Sequence, residues 1–360
     1  MLSSRHRRRI GQIVPFGVIW LVFGIVYSVV EKGILADSTT YPLRGNPYDF
    51  RTSLVTVGAC SLVMGLLMGT LEVYVLGRLF RKRSFLQHLL AKMAIYMGAI
   101  ILFIGFINVV YYLRHRVGGD AGLDSAKLMS WRDYSFWSIV VYVWAVVTAS
   151  LLFAEISRHI GHGVLRNFFT GRYHRPKEEE RIFMFLDMKA STTIAEQMGH
   201  VKYFGLLDRY YADMTEAILD SSGEICQYVG DEIVITWRLR DGVRDNDCLE
   251  CFFRICDRFT AEAPNYQRAY GRVPGFKAGL HCGRVTTGEI GSVRKDIVFT
   301  GDVMNTTARI QSLCNESGVD LLVSETLLKQ LHTNGYQVRE IGVRALKGKD
   351  EAVKLFTVTR

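Results

Sequence analysis

Four long apolar runs, residues 10–30, 54–80, 86–113 and 136–156, occupy the first half of this 360-residue chain. A helix needs about 20 residues to cross a hydrocarbon core of about 30 Å, and each run meets that length. The first is too long for a removable signal peptide and lacks a cleavage site of small residues. The runs predict four transmembrane helices. They show neither an inverted repeat nor a matched pair of broken half-helices, which argues for an anchor or sensor over a transporter.

Charge orients them. Residues 1–170 carry 18 Lys+Arg and 8 Asp+Glu, a net of +10, while the remainder carries 26 and 27, a net of −1. The cations cluster at Arg5, Arg7, Arg8 and Arg9, at Arg78, Arg81, Lys82 and Arg83, and at Arg158 and Arg166. By the positive-inside rule these segments are cytoplasmic, together with everything after the fourth helix. The basicity belongs to the membrane half, so the soluble half has no basic stripe for nucleic acid, and no nucleic-acid partner is expected. The expected location is the inner cell membrane, with the lipid bilayer as a partner.

Two charges interrupt the apolar runs. Glu72 and Lys92 each lie ten residues from Lys82, on opposite arms of one hairpin, and so at similar depth. They either pair, because a lone charge there is costly, or Lys92 snorkels to the surface while Glu72 meets polar neighbours. None of the seven cysteines falls in a segment placed outside the cell, so no disulfide framework is expected. Cys248 and Cys251 have half of a zinc spacing but sit in a helical pattern, as buried core residues do.

Residues 1–156 thus form a membrane domain and 157–180 a cytoplasmic linker, read as helix broken near Gly171 and Pro176. A soluble domain of residues 181–360 follows. Its pattern gives a strand at 182–186 ending in Asp187, then a helix at 193–219 capped by Ser191 or Thr192. Strands at 224–227 and 233–237 flank Gly230-Asp231 as a hairpin, and a second helix covers 247–259. Strands at 276–281, 285–290 and 297–299 and a helix at 303–314 complete a βαββαβ, ferredoxin-like α+β core.

In such a sheet the first strand and the hairpin are neighbours, so Asp187 and Asp231 converge on one edge. A carboxylate beside a helix amino terminus suits Mg²⁺ and phosphate, although a cap and a turn residue explain each aspartate singly. Asn305 and Arg309 share one helix face and suit developing charge on phosphate, or simply face solvent. Residues 346–350, Leu-Lys-Gly-Lys-Asp, form a basic turn.

Together these segments resemble the class III adenylate/guanylate cyclase catalytic domain. The likeness rests on Phe185-Leu186-Asp187-Met188-Lys189-Ala190-Ser191-Thr192, Tyr228-Val229-Gly230-Asp231, Gly301-Asp302-Val303-Met304-Asn305-Thr306-Thr307-Ala308-Arg309 and Lys347-Gly348-Lys349. The resemblance implies two Mg²⁺ or Mn²⁺ ions held by Asp187 and Asp231, Asn305 and Arg309 at the transition state, and Lys349 on phosphate beside Ser191 and Thr192. It implies a homodimer whose sites take the aspartates from one subunit and the Asn/Arg helix from the other. It also implies a membrane-anchored adenylate cyclase that turns ATP into 3′,5′-cyclic AMP and pyrophosphate. The base-reading positions fall on Gln227 and Val298, with Asp296 nearby, and match neither the adenine nor the guanine code of the family. Guanylate cyclase activity on GTP and a non-catalytic nucleotide-binding receptor are the alternatives.

Overall fold

The computed structural model describes residues 4–41, 47–76, 85–117, 134–160, 173–292, 296–345 and 352–360. The chain divides into two compact units, one of His6–Leu165 and one containing Arg166–Arg360.

The first unit holds α1 (Ser4–Leu35), α2 (Phe50–Leu71, continued by a π turn over Glu72–Leu76), α3 (Phe85–Val117) and α4 (Tyr134–Ile160). Asp49 starts α2 by accepting the Thr52 backbone N–H at 2.8 Å, a side-chain cap for an otherwise unpaired donor. Three stretches, Arg9–Leu35, Phe50–Leu76 and Phe136–Ser157, are long and apolar enough to cross a membrane. The third expected run forms α3, but its apolar described part, Gln87–Leu102, falls short of that length. Three spans, compatible with a membrane anchor, are therefore present among the described residues where four are expected. The basic turn at residues 78–83 lies outside them, as do linker residues 161–172.

Glu72 and Lys92 pair. The ammonium bonds the carboxylate with the side chains only 4% and 1% exposed, and the Tyr96 hydroxyl stands 3.3 Å from the other carboxylate oxygen. Removing one member strands a buried charge, at a cost of about 3–5 kcal/mol. Glu72→Leu and Lys92→Leu should each destabilise the protein in detergent, and the double variant should be milder than the two losses combined. Strict additivity of the unfolding free energies would contradict the pairing.

The second unit is built on an eight-stranded mixed sheet of order β2-β3-β1-β4-β6-β8-β7, with β5 paired to β4. Its strands are β1 (Lys177–Met188), β2 (Glu224–Val229), β3 (Glu232–Arg238), β4 (Phe276–Ile290), β5 (Asp296–Thr300), β6 (Leu321–Ser324), β7 (Gln337–Arg344) and β8 (Val353–Thr359). Its main helices are α5 (Ser191–Met198), α6 (His200–Asp220), α7 (Asp247–Tyr270) and α8 (Asp302–Ser312).

Alternation along β1 sorts the two faces. Ile182, Met184 and Leu186 pack with Leu206, Tyr210, Met214 and Ile218 of α6 and with Leu249, Phe252, Ile255 and Phe259 of α7. Phe183 and Phe185 face the other way, against Val234, Val285 and Val303 of α8. Cys248 and Cys251 are fully buried in the first of these cores.

Several expected elements differ. The helix at 193–219 is two helices interrupted at Gly199, and its cap is Ala190 rather than Ser191 or Thr192. The strands at 276–281 and 285–290 are one, because β4 pairs with β1 continuously from Phe276 to Thr287. Strands β6, β7 and β8 extend the sheet beyond the expected core.

α8 lies close on β4. A Cβ on Gly279 would sit 2.5 Å from the Gln311 backbone nitrogen. Gly279→Ala should therefore cost about 1–3 kcal/mol by overpacking, read as a lowered denaturation midpoint. A variant as stable as the parent would show that α8 can lift without loss.

Candidate active site

Asp187 follows Phe183 and Phe185 on the α8 face of β1, where the strand runs out of its apolar cluster. Its cross-strand partner on β4 is Lys277, whose Nζ stands 3.5 Å from Asp187 Oδ2. Gln311 of α8 donates from Nε2 to the same oxygen at 3.3 Å. Asp231 occupies the two-residue turn between Val229 and Glu232, which pair across the β2–β3 hairpin. Gly230 supplies the positive φ of +62° such a turn needs. Tyr211 of α6 braces the turn by donating to the Gly230 carbonyl at 2.8 Å.

These elements bring the two aspartates close enough for the Asp231 carboxyl to act on that of Asp187. Burial, and then the neighbouring Asp231 carboxyl, push the Asp187 carboxyl up to about 6, against the opposing pull of Lys277 and Gln311. Burial and the same two aspartates push Glu232 up to about 7. Asp231 Oδ2 is buried with no hydrogen-bond partner among the described residues. Two crowded carboxylates, one with a buried oxygen that has no partner among the described residues, form an acceptor set with the chemistry to hold a divalent cation. No group of three or more His, Cys, Asp or Glu side chains forms a chelating cluster among the described residues. A pair of carboxylates suits Mg²⁺ or Mn²⁺, since Mg²⁺ is commonly held by one or two carboxylates and completes its shell with phosphate and water.

The other predicted residues are distributed around this pair. On α8, Val303, Thr306, Thr307, Ile310 and Gln311 form the buried face. Asn305 is exposed and Arg309 half-buried on the opposite face, so both point away from their own chain's Asp187. Ser191 and Thr192 open α5, Ser191 half-buried and Thr192 exposed. Gln227 is exposed on β2 just after a bulge at Cys226. Val298 is half-buried on β5 opposite Gly288, and Asp296 is exposed at the start of that strand. Lys349 lies outside the described residues.

Sequence reasoning missed Lys277 and Gln311. Their signals were a lone cation within a buried strand and a polar residue on the apolar face of a helix.

Residues 174–359 match the model of the adenylate and guanylate cyclase catalytic domain. The chain belongs to this family. It is a nucleotide cyclase.

The cyclase is 32% identical over 269 residues to "Adenylate cyclase 2" of Rhizobium meliloti (strain 1021), covering 74% of this chain and 73% of that one. It is 29% identical over 184 residues to "Adenylate cyclase" of Anabaena cylindrica, covering 49% and 36%. Among solved structures, a bacterial light-regulated adenylyl cyclase superimposes with a TM-score of 0.52 at 18% identity, covering 63% of this chain and 65% of that one, a likeness of fold. The first alignment is longer than the catalytic domain, so it includes residues that precede it.

Crowding at Asp187 predicts a pH-dependent stability in chelator. A carboxyl raised in the folded state stabilises the fold below its unfolded value near 4 and loses that contribution as pH rises to about 6. Asp231→Asn removes the like charge and leaves Lys277 beside Asp187. In chelator at about pH 7.5 the variant should gain about 1 kcal/mol, after discounting for partial exposure, and the gain should vanish below about pH 4. Thermal unfolding at both pH values checks this. A loss of stability at the higher pH would contradict it.

Proposed function

We propose that the cyclase converts ATP to 3′,5′-cyclic AMP and pyrophosphate at sites shared between two copies of the chain. The observation that carries this reading is the division of groups on one protomer. The carboxylate pair has a buried oxygen with no partner among the described residues, while Asn305 and Arg309 are presented on the far face of α8. Each half is incomplete without the other, and a two-fold dimer joins them twice. The choice of ATP is supported by the 32% identity to an adenylate cyclase.

In this reading Asp187 and Asp231 hold two Mg²⁺ or Mn²⁺ ions, which supply Lewis-acid activation and neutralise phosphate charge. Lys349 and the Ser191–Thr192 start of α5 bind the triphosphate. The ribose 3′-oxygen forms a bond to the α-phosphorus as the α–β phosphoanhydride bond breaks. The hydroxyl proton leaves to water, and pyrophosphate departs with the bond's electron pair. Arg309 of the second copy meets the charge on the equatorial oxygens with its planar fork, and Asn305 orients the ribose. Gln227 can offer both a donor and an acceptor to the base, with Val298 packing on it and Asp296 at the rim.

The same reading has α3 as a fourth membrane helix and an amino terminus and catalytic domain on the cytoplasmic side. It divides the chain into an anchor of residues 1–156, a linker and a catalytic domain with a ferredoxin-like core. The expected linker of 157–180 is shortened at its end, because Lys177–Glu180 already pair with β4 as part of β1. The test is to supply the purified full-length chain with Mn²⁺ and either ATP or GTP and to identify the products. Cyclic AMP and pyrophosphate from ATP, formed faster than any product from GTP, are expected. A faster reaction with GTP would overturn the substrate, and no cyclic nucleotide from either would overturn the reading.

A further inference from the structure

Gln311 is buried on the inner face of α8, 6% exposed, among Val303 and Ile310. A buried amide is costly unless it is bonded. The neighbouring hydroxyls are occupied within the helix, Thr306 by Asp302 and Thr307 by the Val303 carbonyl. The Gln311 amide instead leaves the helix and donates to Asp187 Oδ2 at 3.3 Å. The same oxygen has Lys277 of β4 at 3.5 Å. Lys277 supplies charge without a fixed direction, whereas the amide supplies direction without charge. The residue has little freedom to withdraw, because its backbone lies against Gly279.

We infer that Gln311 is a positioning residue, which aims the Asp187 carboxylate at its divalent ion and ties it to the helix carrying Asn305 and Arg309 outward. One α8 then serves two sites, steadying the metal half of its own chain and the transition-state half offered to the second copy. The first part of this inference rests on the reading of Asp187 as a metal ligand, and the second on the shared-site reading.

The direct test is equilibrium Mn²⁺ binding to the full-length chain in detergent without nucleotide, followed by the paramagnetic resonance of the free ion. Gln311→Met keeps the side chain's length and removes its donor. Its dissociation constant should rise about tenfold, the usual consequence of losing a partner that orients a metal ligand, with thermal unfolding little changed. Binding as tight as the parent's overturns the proposal. Gln311→Asn, whose amide falls one methylene short, should weaken Mn²⁺ in the same way and serves if the first variant unfolds. Parent-like binding by that variant overturns the proposal equally.

Mixed dimers then locate the effect. Asp231→Ala chains paired with Arg309→Ala chains leave one live site, its metal half from the latter and its α8 from the former. Gln311→Met in the Arg309→Ala chain should raise the Mn²⁺ requirement. Placed in the Asp231→Ala chain, it should lower the maximal rate severalfold without moving that requirement. Equal effects from the two placements overturn the two-site role. An inactive mixture without any Gln311 change contradicts the shared site instead, and the Mn²⁺ titration is independent of that result.

Discussion

Asp231→Ala should lower cyclic AMP formation at least about 10³-fold while leaving the protein folded, a loss typical of removing a group that stabilises transition-state charge through a metal. The expectation comes from the state of the carboxylate. Its Oδ2 is buried with no described partner, so truncation breaks no described hydrogen bond of that oxygen. It also relieves the charge that raises Asp187. Activity and stability should therefore move in opposite directions in chelator. Asp187→Ala should be equally inactive but less stable, because it leaves the nearly buried Lys277 without that carboxylate. An active Asp231→Ala chain would remove the carboxylate pair from the chemistry.

Arg309→Ala should also reduce turnover by about 10²–10³-fold, with a different signature. Arg309 lies on the far face of α8 from Asp187. Its removal should leave Mn²⁺ binding by the chain unchanged and should lower kcat more than it raises KM for ATP. Arg309→Lys keeps the charge without the planar fork and should recover only part of the loss. A weakened Mn²⁺ affinity in Arg309→Ala would mean that the guanidinium acts within its own chain's metal site.

Much of this arrangement was legible because it depends on local pattern. The 182–186 run is buried on both sides of the sheet and reads as a strand from its apolar side chains alone. The Gly230-Asp231 turn is marked by its residue types and by apolar runs on either side. What was not legible depends on partners distant in the chain. Cys282-Gly283-Arg284 falls between two expected strands, yet it continues β4 because β1 pairs along its whole length. Gln337–Arg344 is largely exposed and shows no buried face, and it is a strand through its ladder with β8. Ser191 and Thr192 have cap chemistry, yet the backbone turns at Ala190, with φ of +55°, and begins the helix one residue later. Lys277 and Gln311 carry no motif of their own. Their meaning lies in a shared oxygen of Asp187, which only the packing of β4 and α8 on β1 brings to them.

The most direct test of the account is to mix the two inactive chains. Equal amounts of full-length Asp231→Ala and Arg309→Ala, allowed to exchange subunits, are supplied with Mn²⁺ and ATP, and cyclic AMP is measured. Random pairing makes half of the dimers mixed, and each mixed dimer keeps one of its two sites whole, so about a quarter of the parent activity should return. Activity no greater than the mean of the two inactive chains, with subunit exchange demonstrated, would contradict the shared site.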